Sequence, residues 1–177
     1  MSDHAAVRAC VGLGGNVADV ATTIDRAFAD LAGLPATRLL RRSGLYRTPA
    51  WGLTAQADFM NAAAVLETAL PAADLLAALL EIERAHGRDR NTATRWGPRV
   101  LDLDLLLYGD SIITDDGLCV PHPHLHERAF VLVPLAEIAP EAIVPARGRV
   151  IDLLSLVDTR AIVALPPASS RGSAFCC

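Results

Sequence analysis

Residues 95–110 read RWGPRVLDLDLLLYGD, and this stretch decides the fold. From Val100 to Tyr108 the run is apolar and bounded by Pro98 and Gly109, the signature of a buried strand. Asp102 and Asp104 sit in its middle. Residues two apart on a strand project from one face, so the two carboxylates point the same way while Leu101, Leu103 and Leu105 point into the opposite layer. Unpaired carboxylates inside a sheet are costly to desolvate, so these two must be compensated or must face an opening. Three roles are open: binding Mg²⁺ through oxygen ligands, sharing a proton as an acid/base pair, or pairing with nearby arginines.

The flanking sequence supplies the other elements. Residues 7 to 13 alternate as a first strand ending in GLGGN. Asn16 is then the expected N-cap, with Asp19 in the first turn of a helix that Gly33 and Pro35 close. A second strand is expected from about Leu39 to Arg47, then a TPAWG loop and a third strand over Phe59–Thr68. Pro71 and Asp74 open a second helix, whose stripe of Leu75, Leu76, Leu79, Leu80 and Ile82 faces the core and which ends at Gly87. An arginine-rich loop, 88–98, leads into the aspartate strand. A short strand pair around GDSIITDDG follows, and then a third helix from about Leu125, which Pro134 should interrupt or kink. The βαββαβ order predicts an α+β sandwich of ferredoxin-like topology, a mainly antiparallel sheet with helices packed on its faces. One domain is expected over 1–165, with 166–177 a disordered tail.

Composition narrows the function. The chain has 177 residues, 52% of them hydrophobic, yet no apolar stretch long enough to cross a membrane. The start MSDHAAVRAC lacks the basic opening and cleavage site of a signal peptide, so a cytoplasmic protein is expected. The net charge of −4 argues against a nucleic-acid coat. The cysteines at 10, 119, 176 and 177 lack CxxC spacing, which suits a reducing compartment, and Cys10 and Cys119 read as small core hydrophobes. All 16 basic residues are arginine, and Arg84, Arg88, Arg90, Arg95 and Arg99 cluster within one segment. Such a cluster is either a solvated basic loop or a set of bidentate donors for phosphate. Beside two aspartates it suits a nucleoside triphosphate with Mg²⁺.

The common phosphate loops are absent. In GLGGN, Val17 stands where a dinucleotide fingerprint needs its third glycine, and no GK[ST] occurs. These glycines read as a tight strand-to-helix turn. PHPHLHERAF places His122, His124 and His126 two apart, as loop and cap chemistry or as a transition-metal cluster. Trp51, Phe59, Trp96 and Phe130 lie at loops or element ends, as core plugs or as walls that stack on a flat heterocycle.

Taken together, GLGGN, YRTPAWG, DFMNAAAVLET, IERAHGR, RWGPRVLDLDLLLYG and VPHPHLHERAFVLVPLAEIAP resemble the 6-hydroxymethyl-7,8-dihydropterin pyrophosphokinase family over about residues 7–145. The resemblance implies transfer of pyrophosphate from ATP to the pterin alcohol in folate biosynthesis, with AMP as the other product. It implies that Asp102 and Asp104 hold two Mg²⁺ ions and that Arg88 and Arg99 contact the phosphates. His122 and Arg128 would bind the nucleotide, helped by Glu83 and Arg90. For the pterin it implies Phe130 as a stacking wall, Asn61, Thr48, Pro49 and the Gly14 backbone at the edge, and Trp96 closing over it. Loops near 48–55 and 88–98 are expected to move. Gly15, Val100 and His124 depart from the family pattern, where serine, threonine and arginine are common. The partners expected are ATP and the reduced pterin, with neither nucleic acid nor membrane, and the chain is expected to be a monomer. Two rivals are a metal-dependent hydrolase using the histidines with Asp102, and a ferredoxin-like regulatory module that binds a ligand without turnover.

Overall fold

The computed structural model describes residues 5–50, 56–88 and 98–167. Their order is β1 (Val7–Gly15), α1 (Val20–Ala32), β2 (Thr37–Arg42), β3 (Tyr46–Thr48), β4 (Phe59–Thr68), α2 (Ala72–Ala85) and β5 (Asp102–Tyr108). The hairpin β6 (Ile113–Asp115) and β7 (Leu118–Val120) follows, then a 3₁₀ turn at Leu125–Glu127 and α3 (Ala129–Ile138). The chain continues through β8 (Ile143–Val144), β9 (Gly148–Arg149), α4 (Val150–Leu154) and β10 (Val163–Ala164).

The result is a mixed helix and antiparallel sheet architecture. β1 lies at its centre, paired antiparallel with β4 on one side and β5 on the other. β2 and β3 both pair with β4, and β10 extends the edge from β3. The alternation of β1, β4 and β5 sorts their side chains onto two faces. Val11, Leu13, Ala62, Ala64, Leu103 and Leu105 meet α1 and α2 on one face. Cys10, Ala63, Val65, Leu106 and Leu107 meet α3 and α4 on the other. Leu106 and Leu107 share a face because the β1–β5 ladder shifts register between Cys10 and Val11, leaving Leu106 as the extra residue.

Several expectations need correction. The N-cap of α1 is Asp19, whose carboxylate accepts from the Thr22 backbone N–H at 3.2 Å and from its hydroxyl at 2.6 Å. Asn16 is a buried tie instead. The strand expected over Leu39–Arg47 divides into β2 and β3. Buried Ser43 holds the break against β4, its N–H donating to Ala63 O at 2.9 Å and its hydroxyl accepting from Ala63 N–H at 2.8 Å. The third helix starts at Ala129 and contains Pro134, with the 3₁₀ turn separate before it. Cys119 is exposed, whereas Cys10 is buried and its thiol is pushed up to about 12 by that burial. Leu76 and Leu80 are only half-buried beside the buried Leu75, Leu79 and Ile82.

Gly12, Gly14 and Gly15 lie within β1, not in a turn after it. At Gly15 a Cβ would stand 2.5 Å from Val100 O, so the backbone leading to Asp102 packs flat on this glycine. Gly15→Ala is therefore expected to lower stability by about 1–3 kcal/mol, the scale of overpacking, read as a lower thermal midpoint.

Candidate active site

The register of the sheet assembles the site. Asp102 on β5, Gly14 on β1, Asn61 on β4 and Tyr46 on β3 are successive cross-strand partners. Asp104, Gly12 and Ala63 form the next row. The glycines carry no side chain, so the floor between the carboxylates and Asn61 is bare backbone. A Cβ on Gly14 would come within 3.0 Å of Asn61 Oδ1, which places that oxygen over the floor. Asn61 Nδ2 donates to Thr48 Oγ1 at 2.9 Å, and both residues are buried. Pro49 follows Thr48 at the exposed rim.

The two aspartates are compensated differently. Arg88, just past the end of α2, donates to Asp102 and to Glu83 Oε1, the latter at 2.5 Å; Arg99 also donates to Asp102. Burial pushes the Asp102 carboxyl up, but the Arg99 and Arg88 guanidiniums outweigh it and hold it below the usual carboxylate range. Asp104 has no hydrogen bond or ion pair among the described residues. Burial first, and then the charge of Asp102, push its carboxyl up to about 6, against the pull of Arg128. Of the three roles open to the pair, Asp102 takes ion pairing with arginine, while Asp104 is left with a carboxylate that gains from a proton or a hard cation.

Glu83 is 1% exposed, and its Oε1 also accepts from Leu103 N–H at 2.7 Å. It fastens both Arg88 and β5 from beneath. On the other side, the loop after β7 is pinned by His122 N–H donating to Leu106 O at 2.9 Å. His122 Nδ1 accepts from His124 N–H at 3.2 Å, so the neutral ring carries its proton on Nε2. Burial, with Arg128 and His124 nearby, lowers the His122 pKa to about 4, leaving the ring uncharged near neutrality. Arg128 is the N-cap of α3, and its guanidinium stands 5.7 Å from the Phe130 ring centre.

The structure thus gathers Arg88, Arg99, Asp102, Asp104, His122 and Arg128 into one cluster, with Glu83 buried beneath Arg88 and with Gly14, Asn61 and Thr48 adjoining. Arg90, Trp96 and Trp51 lie outside the described residues. His124 and His126 turn to Glu127, at 3.3 and 3.2 Å. Among the described residues no group of three or more His, Cys, Asp or Glu is placed to hold a metal ion, and His124 and His126 face Glu127 instead of Asp102. Sequence reasoning missed the ties made by the Asn16 amide and the floor role of Gly12, whereas Gly14 entered the expected site through the family resemblance alone. Small residues at alternate positions of one strand, matching acids at alternate positions of another, were the signal for the floor.

Comparison with known proteins identifies the family of the chain. A family model described as 7,8-dihydro-6-hydroxymethylpterin-pyrophosphokinase (HPPK) matches residues 10–140. The 2-amino-4-hydroxy-6-hydroxymethyldihydropteridine pyrophosphokinase of Methylorubrum extorquens is 48% identical over 137 residues, 77% of this chain and 85% of that protein. The protein of the same name from Pseudomonas aeruginosa is 42% identical over 161 residues, 91% of this chain and 98% of that protein. The crystal structure of wild-type Plasmodium falciparum HPPK-DHPS superposes with a TM-score of 0.66 at 14% identity, covering 88% of this chain. This chain spans 42% of the length of that one, and the likeness is one of fold.

Proposed function

Because the chain belongs to the 7,8-dihydro-6-hydroxymethylpterin-pyrophosphokinase family, we propose that its Asp102–Asp104 cleft is where pyrophosphate passes from ATP to 6-hydroxymethyl-7,8-dihydropterin. The reaction belongs to folate biosynthesis and leaves AMP and the pterin diphosphate. The observation that carries this placement is the unequal compensation of two carboxylates on one strand face, beside two arginines and a bare glycine floor that ends at Asn61.

Asp102 and Asp104 would hold Mg²⁺, two ions in the fullest reading. The fit is chemical: both are hard oxygen donors on one strand face, and Asp104 has no hydrogen bond or ion pair among the described residues. Once bound, the metal supplies charge neutralisation for the triphosphate. Arg88 and Arg99 share Asp102, so a guanidinium released from that carboxylate meets phosphate oxygens with bidentate geometry. His122 offers Nε2–H as a neutral donor, and Arg128 adds fixed charge beside it. Glu83 acts through Arg88, and Arg90 is assigned to the nucleotide with it. On the pterin side Asn61 Oδ1 faces the floor as an acceptor, oriented by Thr48, with Pro49 and the Gly14 backbone at the edge. Phe130 forms a wall and Trp96 closes over the ring. The hydroxymethyl oxygen bonds to the β-phosphorus and gives up its proton to solvent as the bond from the β-phosphorus to the α–β bridging oxygen breaks and that oxygen leaves with AMP. Positioning and charge neutralisation suffice, and no covalent nucleophile is needed.

We read residues 1–165 as one ferredoxin-like domain working as a monomer. The strand order β5-β1-β4-β2 and the placement of α1 and α2 between strands support the topology.

The test is to incubate the protein with ATP, Mg²⁺ and reduced 6-hydroxymethylpterin and to separate the nucleotides. Pterin-dependent AMP is expected. ADP, or an unchanged nucleotide pool with active controls, refutes the reading, and the second outcome favours a binding module. Arg99→Ala is expected to cut turnover by about a hundredfold, the scale of losing one preorganised donor to transition-state charge. A change confined to KM would assign Arg99 to uniform binding instead.

A further inference from the structure

We infer that Asn16 is a positioning residue whose amide fastens the segment carrying Arg99 and the segment leading into Asn61 to the same end of β1, so that one side chain sets both halves of the cleft. Asn16 directly follows β1 and is 9% exposed. Its backbone N–H donates to Arg99 O at 2.9 Å, and its Oδ1 accepts from Arg99 N–H at 2.8 Å. Both backbone polar groups of Arg99 therefore close on this one residue. From the other end of the amide, Nδ2 donates to Ala57 O and to Gln56 Oε1, each at 3.1 Å.

The chemistry requires asparagine. Its amide presents one acceptor and two donors in a fixed plane, and here the acceptor serves the arginine side while both donors serve the 56–57 side. Gly15 makes the approach possible, since the Val100 carbonyl occupies the space a Cβ would need. The backbone of Arg99 is held three residues before Asp102, the carboxylate to which its guanidinium donates. Ala57 lies four residues before Asn61. A displacement on either side is thus passed through a single buried residue, held by three hydrogen bonds of its amide and a fourth of its backbone N–H.

This inference rests on the pyrophosphokinase reading for its link to catalysis, so its test carries a readout independent of turnover. Hydrogen exchange would be followed in peptides covering 56–61 and 98–103, alongside steady-state kinetics, for Asn16→Ala, Asn16→Asp, Arg99→Ala and the Asn16→Ala/Arg99→Ala double variant. Asn16→Ala is expected to speed exchange about tenfold in both segments and to lower kcat about tenfold or more. In the Arg99→Ala background the same substitution is expected to cost under about threefold, because the arginine it positions is gone. Asn16→Asp keeps the acceptor and loses the donors, so exchange should rise in 56–61 alone and KM should rise more for the pterin than for ATP.

Equal costs in the two backgrounds, or unchanged exchange in both segments, would overturn the inference. Should Asn16→Ala fail to fold, Asn16→Asp decides it, and a rise in 98–103 as large as that in 56–61 counts against the division of labour. If the wild-type chain yields no pterin-dependent AMP, the functional reading falls, while exchange still reports whether Asn16 joins the two segments.

Discussion

Asp104→Asn is expected to abolish transfer and to melt higher than the unmodified chain. The loss of turnover, a factor of about a thousand or more, follows from the proposed function, in which Asp104 is a hard oxygen donor to the metal. The gain in stability follows from the same environment. Asp104 is desolvated and stands beside the charge of Asp102, which together raise its carboxyl from 3.8 to about 6. A carboxyl raised in the folded state contributes stability that is fully present below the unfolded value near 3.8 and is lost as pH rises through about 6. At pH 7 the ionised group therefore costs the fold about 3 kcal/mol, and a neutral isostere relieves it. For a chain of this size that is a rise of about 6–12 °C in thermal midpoint. Scans at pH 7.5 and pH 4 check the sign: the gap between variant and parent should be wide at the first and close at the second. An unchanged midpoint at pH 7.5 would show that Asp104 is solvated and would weaken its assignment to metal.

Glu83→Ala is expected to be the most destabilising single change in the cleft, by about 3–5 kcal/mol, read from the urea midpoint. Glu83 is 1% exposed, and its Oε1 alone receives the Arg88 guanidinium at 2.5 Å and the Leu103 N–H at 2.7 Å. Truncation strands a buried backbone donor and removes one of the two carboxylates that balance Arg88. Glu83→Gln keeps an oxygen at that position and is expected to cost less than half as much. If both variants unfold at the same urea concentration as the parent, Glu83 holds neither Arg88 nor β5 as described. Turnover should fall in both, because Arg88 loses its anchor.

The aspartate strand was legible because periodicity and punctuation agreed: an apolar run between Pro98 and Gly109, with acids at alternate positions, permits one assignment of faces. β4 and α2 were legible for the same reason, long periodic segments with clear ends. The misreadings share a different cause. Asn16 and Asp19 are both good N-caps, and local propensity cannot tell which one a distant segment claims; Arg99, some eighty residues later, claims Asn16. The break between β2 and β3 depends on Ser43 meeting Ala63, again a contact made only after folding. The glycines of β1 mimic a turn because glycine is permissive, and only the register with Asp102 and Asp104 reveals them as a floor. Site residues were reached through family resemblance more than through spacing. The carboxylate pair alone left three roles open, and the unequal surroundings of its members needed coordinates.

The register shift opposite Cys10 and Val11 gives β5 the properties of a rail with an expansion joint. On the cleft side of the joint, Asp102 and Asp104 stay in step with Gly14 and Gly12; beyond it, Leu107 pairs with Cys10 and Tyr108 with Ala9. Leu106, the surplus residue, leans over Gly12, where its methyl groups would stand 3.4–3.5 Å from a Cβ. The register of the acids is therefore continuous with the Asn16–Arg99 end of the strand and separated by the surplus residue from the pairing nearer the β6–β7 hairpin.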